Sequence, residues 1–566
     1  MKRSKVIIPI VLGICIVGVL TTAALISKFA PSKQHMELSK YFGIKGNQVK
    51  VILEDTICEQ SALFQEKEIY VDFDFVKEKL NNRFYWDKNE NQLIYTTSTA
   101  IITTEPGSKE CYQNNSKITK EYELVKTEGE KVYVALDYVK EYTALEYKTY
   151  KKPNRVVINN VFGKAIDYVK TDTDCALRNE PDIKSPILAD LKTEESVRII
   201  EAENKETGFC KVMDKSGVIG YVKAKELGKT YKKQYTTQFE EEVYSHILKE
   251  NKVNLVWHQV TSQAANAELL TLLNNTKGVN VVSPTWFATS DNEGGIDSLA
   301  SDNYVMQAHR AGVEVWGLCN DFSPHMKIGT VLGSTSKRQK LAKNLVAEAI
   351  RYSLDGINID FENVRKESGE DFVQFVRELG ILCRNNGIVL SIDNYPLASY
   401  NEYYNRKEQA AVADYVITMA YDEYYAGSKE AGPVSSISYV EKSTENVLKQ
   451  VPANQAIIAL PFYSRHWVER TKGGKVKLTS ETCSMSYAQE ILSDAKTQAV
   501  WDDKTQMNYL EYKKDNALHK MWIEDRESLE CKMKAATKEK NIAGVAFWKM
   551  GLEKREVWDM VIKYLK

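Results

Sequence analysis

Metal-ligand patterns and surplus charge are both missing from this sequence. Its nine cysteines form no C-x-x-C pair and no H-E-x-x-H occurs, so a zinc site has no local support, and no metal or organic cofactor is implied. Lys and Arg number 76 against 77 Asp and Glu, a formal charge of -1. A chain without net positive charge exerts no long-range pull on a polyanion, which disfavours a nucleic-acid partner. Cys15 follows Ile14 and not a small residue, which argues against a lipoprotein signal. What remains is ordinary globular composition, 43% hydrophobic and 27% charged, over 566 residues. That length predicts several modules with real cores.

Met1 to Lys5 is basic, and Val6 to Ser27 then runs 22 residues without a charge. Such a stretch is long enough to cross the hydrocarbon layer. The basic flank predicts a cytoplasmic start, a single membrane pass over residues 6–27 and an extracytoplasmic remainder. A cleaved signal ending near Thr21-Thr22-Ala23-Ala24, with a secreted product, is the alternative. In an oxidising compartment Cys175 and Cys210 are the most plausible disulfide pair, against buried free thiols.

Residues 28–165 contain an internal repeat. Glu68-Ile69-Tyr70-Val71-Asp72-Phe73-Asp74-Phe75-Val76 aligns with Lys131-Val132-Tyr133-Val134-Ala135-Leu136-Asp137-Tyr138-Val139 at an offset of 63. Each copy reads as a short strand, a helix start and paired strands, an α+β repeat domain. The pattern resembles the N-terminal modules of copper amine oxidases, without the histidines that would imply copper, and suggests a stalk or a cell-wall contact. Residues 166–230 read as five short strands between polar turns, a small all-β barrel. Leu177-Arg178, Cys210-Lys211-Val212 and Gly220-Tyr221-Val222 are similar to bacterial SH3-type modules, which again implies wall contact.

Beyond these modules, residues 235–566 alternate apolar strands with amphipathic helices. Eight strands are expected: Val253 to Val260, Val279 to Pro284, Val313 to Leu318, Gly356 to Phe361, Ile388 to Asn394, Tyr415 to Tyr421, Ala456 to Phe462 and Gly544 to Trp548. Leu341, Leu345, Ala349 and Tyr352 recur at helical spacing between the third and fourth. The long gap from Tyr463 to Ile542 predicts an inserted subdomain. The fold expected is a C-terminal (β/α)8 TIM barrel with an α+β insertion.

The informative segment is Asp355-Gly356-Ile357-Asn358-Ile359-Asp360-Phe361-Glu362. Strand side chains alternate, so Asn358, Asp360 and Glu362 share one face. Three polar groups in a barrel lumen are costly unless paired or used, and Glu362 falls at the strand's C-terminal end, where such barrels place their chemistry. An exposed strand face or a buried ion network is the bland alternative.

This octet is similar to the family 18 glycoside hydrolase signature D-x-x-D-x-D-x-E, with Asn358 in place of the first inner aspartate. Met419-Ala420-Tyr421-Asp422 and Ala546-Phe547-Trp548 resemble the family's sixth- and eighth-strand motifs. The resemblance implies a substrate-assisted, retaining mechanism. Glu362 would be the proton donor, Asp360 the group orienting the substrate's acetamide with Tyr421, and Trp548 the floor of the sugar site. Asn358 would donate to Asp360. Trp286 and Trp316 are further candidates for sugar contact, each with a core reading of equal weight. Met419, Asp422 and Tyr463 complete the candidate substrate-binding set. Asp393 and Glu524 are weaker candidates, and His258 and His466 read as packed or surface residues.

The family leaves chitin, chito-oligosaccharides, glycoprotein glycans and peptidoglycan open as N-acetylglucosamine-containing partners. The third strand, Val315-Trp316-Gly317-Leu318-Cys319-Asn320, lacks the S-x-G-G element of secreted chitinases. With the envelope-like modules this favours peptidoglycan or spore cortex, in the branch containing cortex- and wall-lytic enzymes. A catalytically silent glycan-binding envelope protein is the competing class.

Overall fold

The computed structural model describes residues 28–565 apart from positions 45, 47, 66, 474, 539 and 540, and only positions 15, 17 and 21 before that. Apart from those three positions, the expected membrane span at residues 6–27 lies outside the described residues. Among the described residues no helix is long and apolar enough to cross a membrane. The chain divides into two compact units. One joins Met1–Tyr85 with Thr103–Glu241, and the other joins Trp86–Ile102 with Glu242–Lys566.

The first unit holds two seven-stranded sheets. In one, the two repeat copies meet as an antiparallel pair of Glu68–Asp72 with Lys131–Ala135, in which Val71 opposes Val134. These two valines are themselves equivalent at the offset of 63, so a local two-fold axis passes between the copies. The other sheet contains the five expected short strands and two more, Ala165–Thr171 and Leu227–Gln234. The expected Cys175–Cys210 disulfide is not formed, because every cysteine is a free thiol. Strand Ile219–Lys223 lies between the strands carrying the two cysteines. Two inter-strand spacings of about 4.8 Å exceed the span a disulfide bridges.

The second unit is a closed parallel barrel of eight strands: β1 Val253–His258, β2 Val281–Pro284, β3 Glu314–Asn320, β4 Gly356–Asp360, β5 Val389–Asn394, β6 Tyr415–Met419, β7 Ala456–Pro461 and β8 Gly544–Trp548. β8 pairs with both β1 and β7, and β2 with β3, which closes the ring. Two-residue alternation decides which core each side chain joins. Ile357, Ile359, Val416, Ile458 and Phe547 pack outward under the helices. Leu255, Trp257, Leu318, Ile417, Ile457 and Ala546 fill the lumen. The expected insertion is a five-stranded antiparallel sheet formed between β7 and β8 by residues 463–523.

Helix α1, Thr335–Arg351, buries Leu341, Leu345 and Ala349 and packs on α2, Gly369–Asn385. Ser334 makes no side-chain cap of its own. Asp87 and Glu90, from the 86–102 segment of the same unit, take that place. Asp87 accepts from the Thr335 amide at 2.6 Å and Glu90 from the Ser336 amide at 3.0 Å, satisfying donors that a helix start otherwise leaves open. Between α1 and α2, Arg338 meets Glu378 at 2.9 Å with both side chains fully buried. Gln374 donates to the same Glu378 oxygen. Arg338→Ala strands a buried carboxylate and is expected to cost ~3–5 kcal/mol in urea unfolding of the barrel, whereas removing an exposed pair such as Lys277–Asp559 by Lys277→Ala is expected to leave the unfolding midpoint essentially unchanged.

Candidate active site

The lumen end of β4 is polar because alternation turns Asn358 and Asp360 inward, both buried at 0% and 6% exposure. Asn358 uses its whole amide. Its Oδ1 accepts from Trp257 Nε1 at 2.9 Å and Ser283 Oγ at 3.1 Å, and its Nδ2 donates to Ser391 Oγ at 3.0 Å and Asp393 Oδ1 at 2.8 Å. The expected bond from Asn358 to Asp360 is therefore corrected. β5 lies beside β4 with Asn358 opposite Ser391, and it supplies Asp393 as the acceptor. Fully buried, Asn358 supports the site from below and has no surface with which to meet a ligand.

Asp360 lies above this layer, hydrogen-bonded to Glu362. Its Oδ1 is buried and has no partner. Burial, then the charges of Asp393, Glu362 and Asp321, hold the Asp360 carboxyl well above the usual carboxylate range. The Asp393 carboxyl is likewise held well above that range, by burial first, with Glu362 adding and the Asn358 hydrogen bond opposing. Glu362 is half-buried at the mouth. Burial raises its pKa, hydrogen bonds with Tyr395 and Asp360 pull it down, and Asp321 and Asp422 push it up. The Tyr395 hydroxyl donates to Glu362 Oε2. Asp321 accepts from the Glu362 and Asn363 amides at 3.0 and 2.9 Å, fixing the backbone that carries the acid.

Across the mouth, Tyr421 is half-buried and its ring meets Tyr463 edge-on at 6.4 Å. The Tyr463 hydroxyl donates to Asp422 Oδ1 at 2.6 Å. Met419 is buried at the end of β6. Trp548 is half-buried, tilted at 6.0 Å from the lumen residue Trp257. Glu362, Asp360, Tyr421, Asp422, Tyr463 and Trp548 thus all stand at the C-terminal ends of β4, β6, β7 and β8 or in the loops leaving them.

Two candidate tryptophans are corrected. Trp316 is 0% exposed, stacks on Tyr415 at 5.4 Å and donates to Glu314 at the start of β3, the far end of the barrel. Trp286 is 1% exposed and spends its indole N–H on Asn266. Neither has a free face for a sugar. Glu524 is locked in a fully buried ion pair with Lys532 at 2.7 Å, and His258 is buried against Tyr304 at 3.0 Å. His466 lies in the insertion, 2.9 Å from His519. Asp321 and Tyr395 were not anticipated. Each directly follows the last residue of a barrel strand, β3 and β5, which is the signal that points to them.

Comparison with known proteins agrees with this geometry. The family model of Glycosyl hydrolases family 18 matches residues 324–553. The barrel carries a family 18 domain. The Copper amine oxidase N-terminal domain model matches residues 50–158, which contain both repeat copies. A Cortical fragment-lytic enzyme of Bacillus subtilis is 27% identical over 236 residues, 40% of this chain and 54% of that one. The Putative sporulation-specific glycosylase YdhD of the same organism is 28% identical over 230 residues, 39% and 53% of the two chains. The chain thus spans about half the length of these two relatives. Two solved structures share the barrel fold at a TM-score of 0.50. They are the C-terminal domain of a putative chitinase from Desulfitobacterium hafniense (21% identity, 56% of this chain and 100% of that one) and the Bacillus megaterium spore cortex-lytic enzyme SleL (20%, 59% and 79%).

The raised Asp393 pKa has a stability consequence. Between the ordinary carboxylate value and the raised one, the folded family 18 domain holds a proton that the unfolded chain has released, so stability falls as pH rises through that window. Asp393→Asn removes this loss while leaving an acceptor for Asn358. The variant is expected to melt above wild type at about pH 8 and to converge with it near about pH 3, read by calorimetry across pH.

Proposed function

We propose that the family 18 domain hydrolyses β-1,4 bonds next to N-acetylglucosamine with retention of configuration, acting on peptidoglycan or spore cortex. The observation that carries this reading is the pair formed by Asp360 and Glu362. One is a buried carboxyl with an unpartnered oxygen, and the other is an acid of raised pKa at the mouth. An acid that stays protonated towards neutrality can give its proton to a leaving oxygen. A buried acceptor without a donor suits an amide N–H arriving with the substrate.

In the first step the glycosidic C–O bond breaks as its oxygen takes the Glu362 proton. The substrate's acetamide oxygen bonds to the anomeric carbon, giving a cyclic oxazolinium ion. Asp360 Oδ1 accepts the acetamide N–H, which turns the carbonyl oxygen toward that carbon and stabilises the positive charge that develops on the ring. Tyr421 hydrogen-bonds to the same group, and Trp548 offers an indole face to the apolar side of the pyranose. The Glu362 carboxylate then removes a proton from water, whose oxygen opens the oxazolinium ion and returns the original β configuration. Burial is the main cause that keeps this proton available, with the charges of Asp321 and Asp422 adding to it.

The choice of substrate is supported by the relatives, a cortical fragment-lytic enzyme and a putative sporulation-specific glycosylase. A site outside the cell membrane, with residues 6–27 as tether and the N-terminal modules toward the wall, belongs to the same proposal. Glu362→Gln is expected to lower kcat on peptidoglycan-derived glycan strands by roughly 10²–10⁴ while glycan binding persists. Proton NMR of early wild-type product should show the β anomer at the new reducing end. An α anomer defeats the mechanism, and a wild-type protein that binds glycan without cutting it assigns the barrel to the silent class.

A further inference from the structure

The loops after β3 and β4 enclose a cavity for which the reaction at Asp360 has no use. Its volume is about 430 Å³, and its lining includes Asp321, Phe322, Lys327, Asn363, Arg365 and Glu367. Its lining reaches the residues that flank the acid, Asp321 and Asn363. Asp321 holds the Glu362 and Asn363 amides, and Asn363 Nδ2 returns a bond to the Asp321 carbonyl at 3.1 Å. Tyr421, Tyr463 and Trp548 stand on the other side of Glu362, on the β6, β7 and β8 side of the mouth. A glycan whose acetamido sugar rests among those aromatics passes Glu362 at the scissile oxygen, so its next sugar, the leaving group, faces this cavity.

The charge of the lining is specific. Lys327 and Arg365 are exposed, and among the described residues neither side chain has an ion pair or hydrogen bond. Asp321 is committed to two backbone amides. Glu367 is the one exposed acid in the lining. Phe322, 51% exposed, gives the rim an aromatic face. A neutral chitin-type sugar offers only uncharged hydroxyl and carbonyl oxygens and brings no charge to answer two unpaired cations. A sugar bearing a carboxylate does, and an arginine beside a lysine suits that group.

Building on the proposed function, we propose that this cavity binds a carboxylate substituent of the leaving-group sugar and thereby selects acidic N-acetylated glycan over neutral chitin-type glycan. Two sources carry that chemistry, the lactyl ether of the sugar and the peptide attached to it.

The test uses the full chain and four substrates: a peptide-bearing peptidoglycan tetrasaccharide, the same glycan stripped of peptide, the stripped glycan with its carboxyl converted to a methylamide, and chitotetraose. Replacing Lys327 and Arg365 together by Ala is expected to raise KM roughly ten-fold on the stripped carboxylate glycan with kcat within about two-fold, and to leave KM on the methylamide and chitotetraose unchanged. Glu367→Gln is expected to lower KM on the carboxylate glycan. A rise in KM confined to the peptide-bearing glycan moves the recognised carboxylate from the lactyl ether to the peptide. An equal rise on all four substrates, or none on any, overturns the proposal. Calorimetric binding of the stripped carboxylate glycan to Glu362→Gln, with and without the double replacement, reads the cavity independently of turnover. Binding lost with the two cations supports it even if wild type cuts nothing, and unchanged binding overturns it.

Discussion

Carboxyl groups crowded at one end of a water-poor barrel are the constraint on which the site depends. On top of the cost of burial, Asp393, Glu362 and Asp321 raise the proton affinity of Asp360, Glu362 raises that of Asp393, and Asp321 and Asp422 raise that of Glu362. Negative charges so placed cannot all be ionised together, so protons are retained that water would otherwise strip. The acid at the mouth is raised first by its own burial, with Asp321 and Asp422 adding to it against the hydrogen bonds of Tyr395 and Asp360.

Asn358 makes that crowding tolerable. An amide both accepts and donates, and here it does both twice, taking bonds from Trp257 and Ser283 and giving them to Ser391 and Asp393. A carboxylate at 358 can accept from the same indole and hydroxyl but has nothing to offer Asp393. The charge missing from β4 relative to the usual octet is supplied from β5, and a neutral group ties the two strands together. The amide below Asp360 is thus fully bonded, while Asp360 Oδ1 is buried without a partner.

The frame around this polar core is apolar and periodic. Outward side chains of each strand meet helices, inward ones meet each other, and the barrel has no edge to fray. Even the start of α1 is satisfied from a distant stretch of chain, by Asp87 and Glu90, and α1 and α2 are joined by Arg338 and Glu378. Such supports let the loops beyond the strands vary, and the cavity beside Asp321 is formed by two of those loops.

The sequence by itself determined the eight strands, the face shared by Asn358, Asp360 and Glu362, the repeat and the insertion, because alternation and apolar periodicity are local properties of a chain. The resemblance of the sixth- and eighth-strand motifs to family 18 was enough to expect Tyr421 and Trp548 at the same end of the barrel as Glu362. Tertiary structure alone decided the partners. Whether Asn358 turns to Asp360 or Asp393 depends on the register of β4 against β5, and Trp316 was lost to the core because its strand begins at the far end of the barrel. Tyr395 and Asp321 gained their roles in the same way, since a hydrogen bond between residues 33 or 41 positions apart is set by how a barrel closes, and no local pattern encodes that.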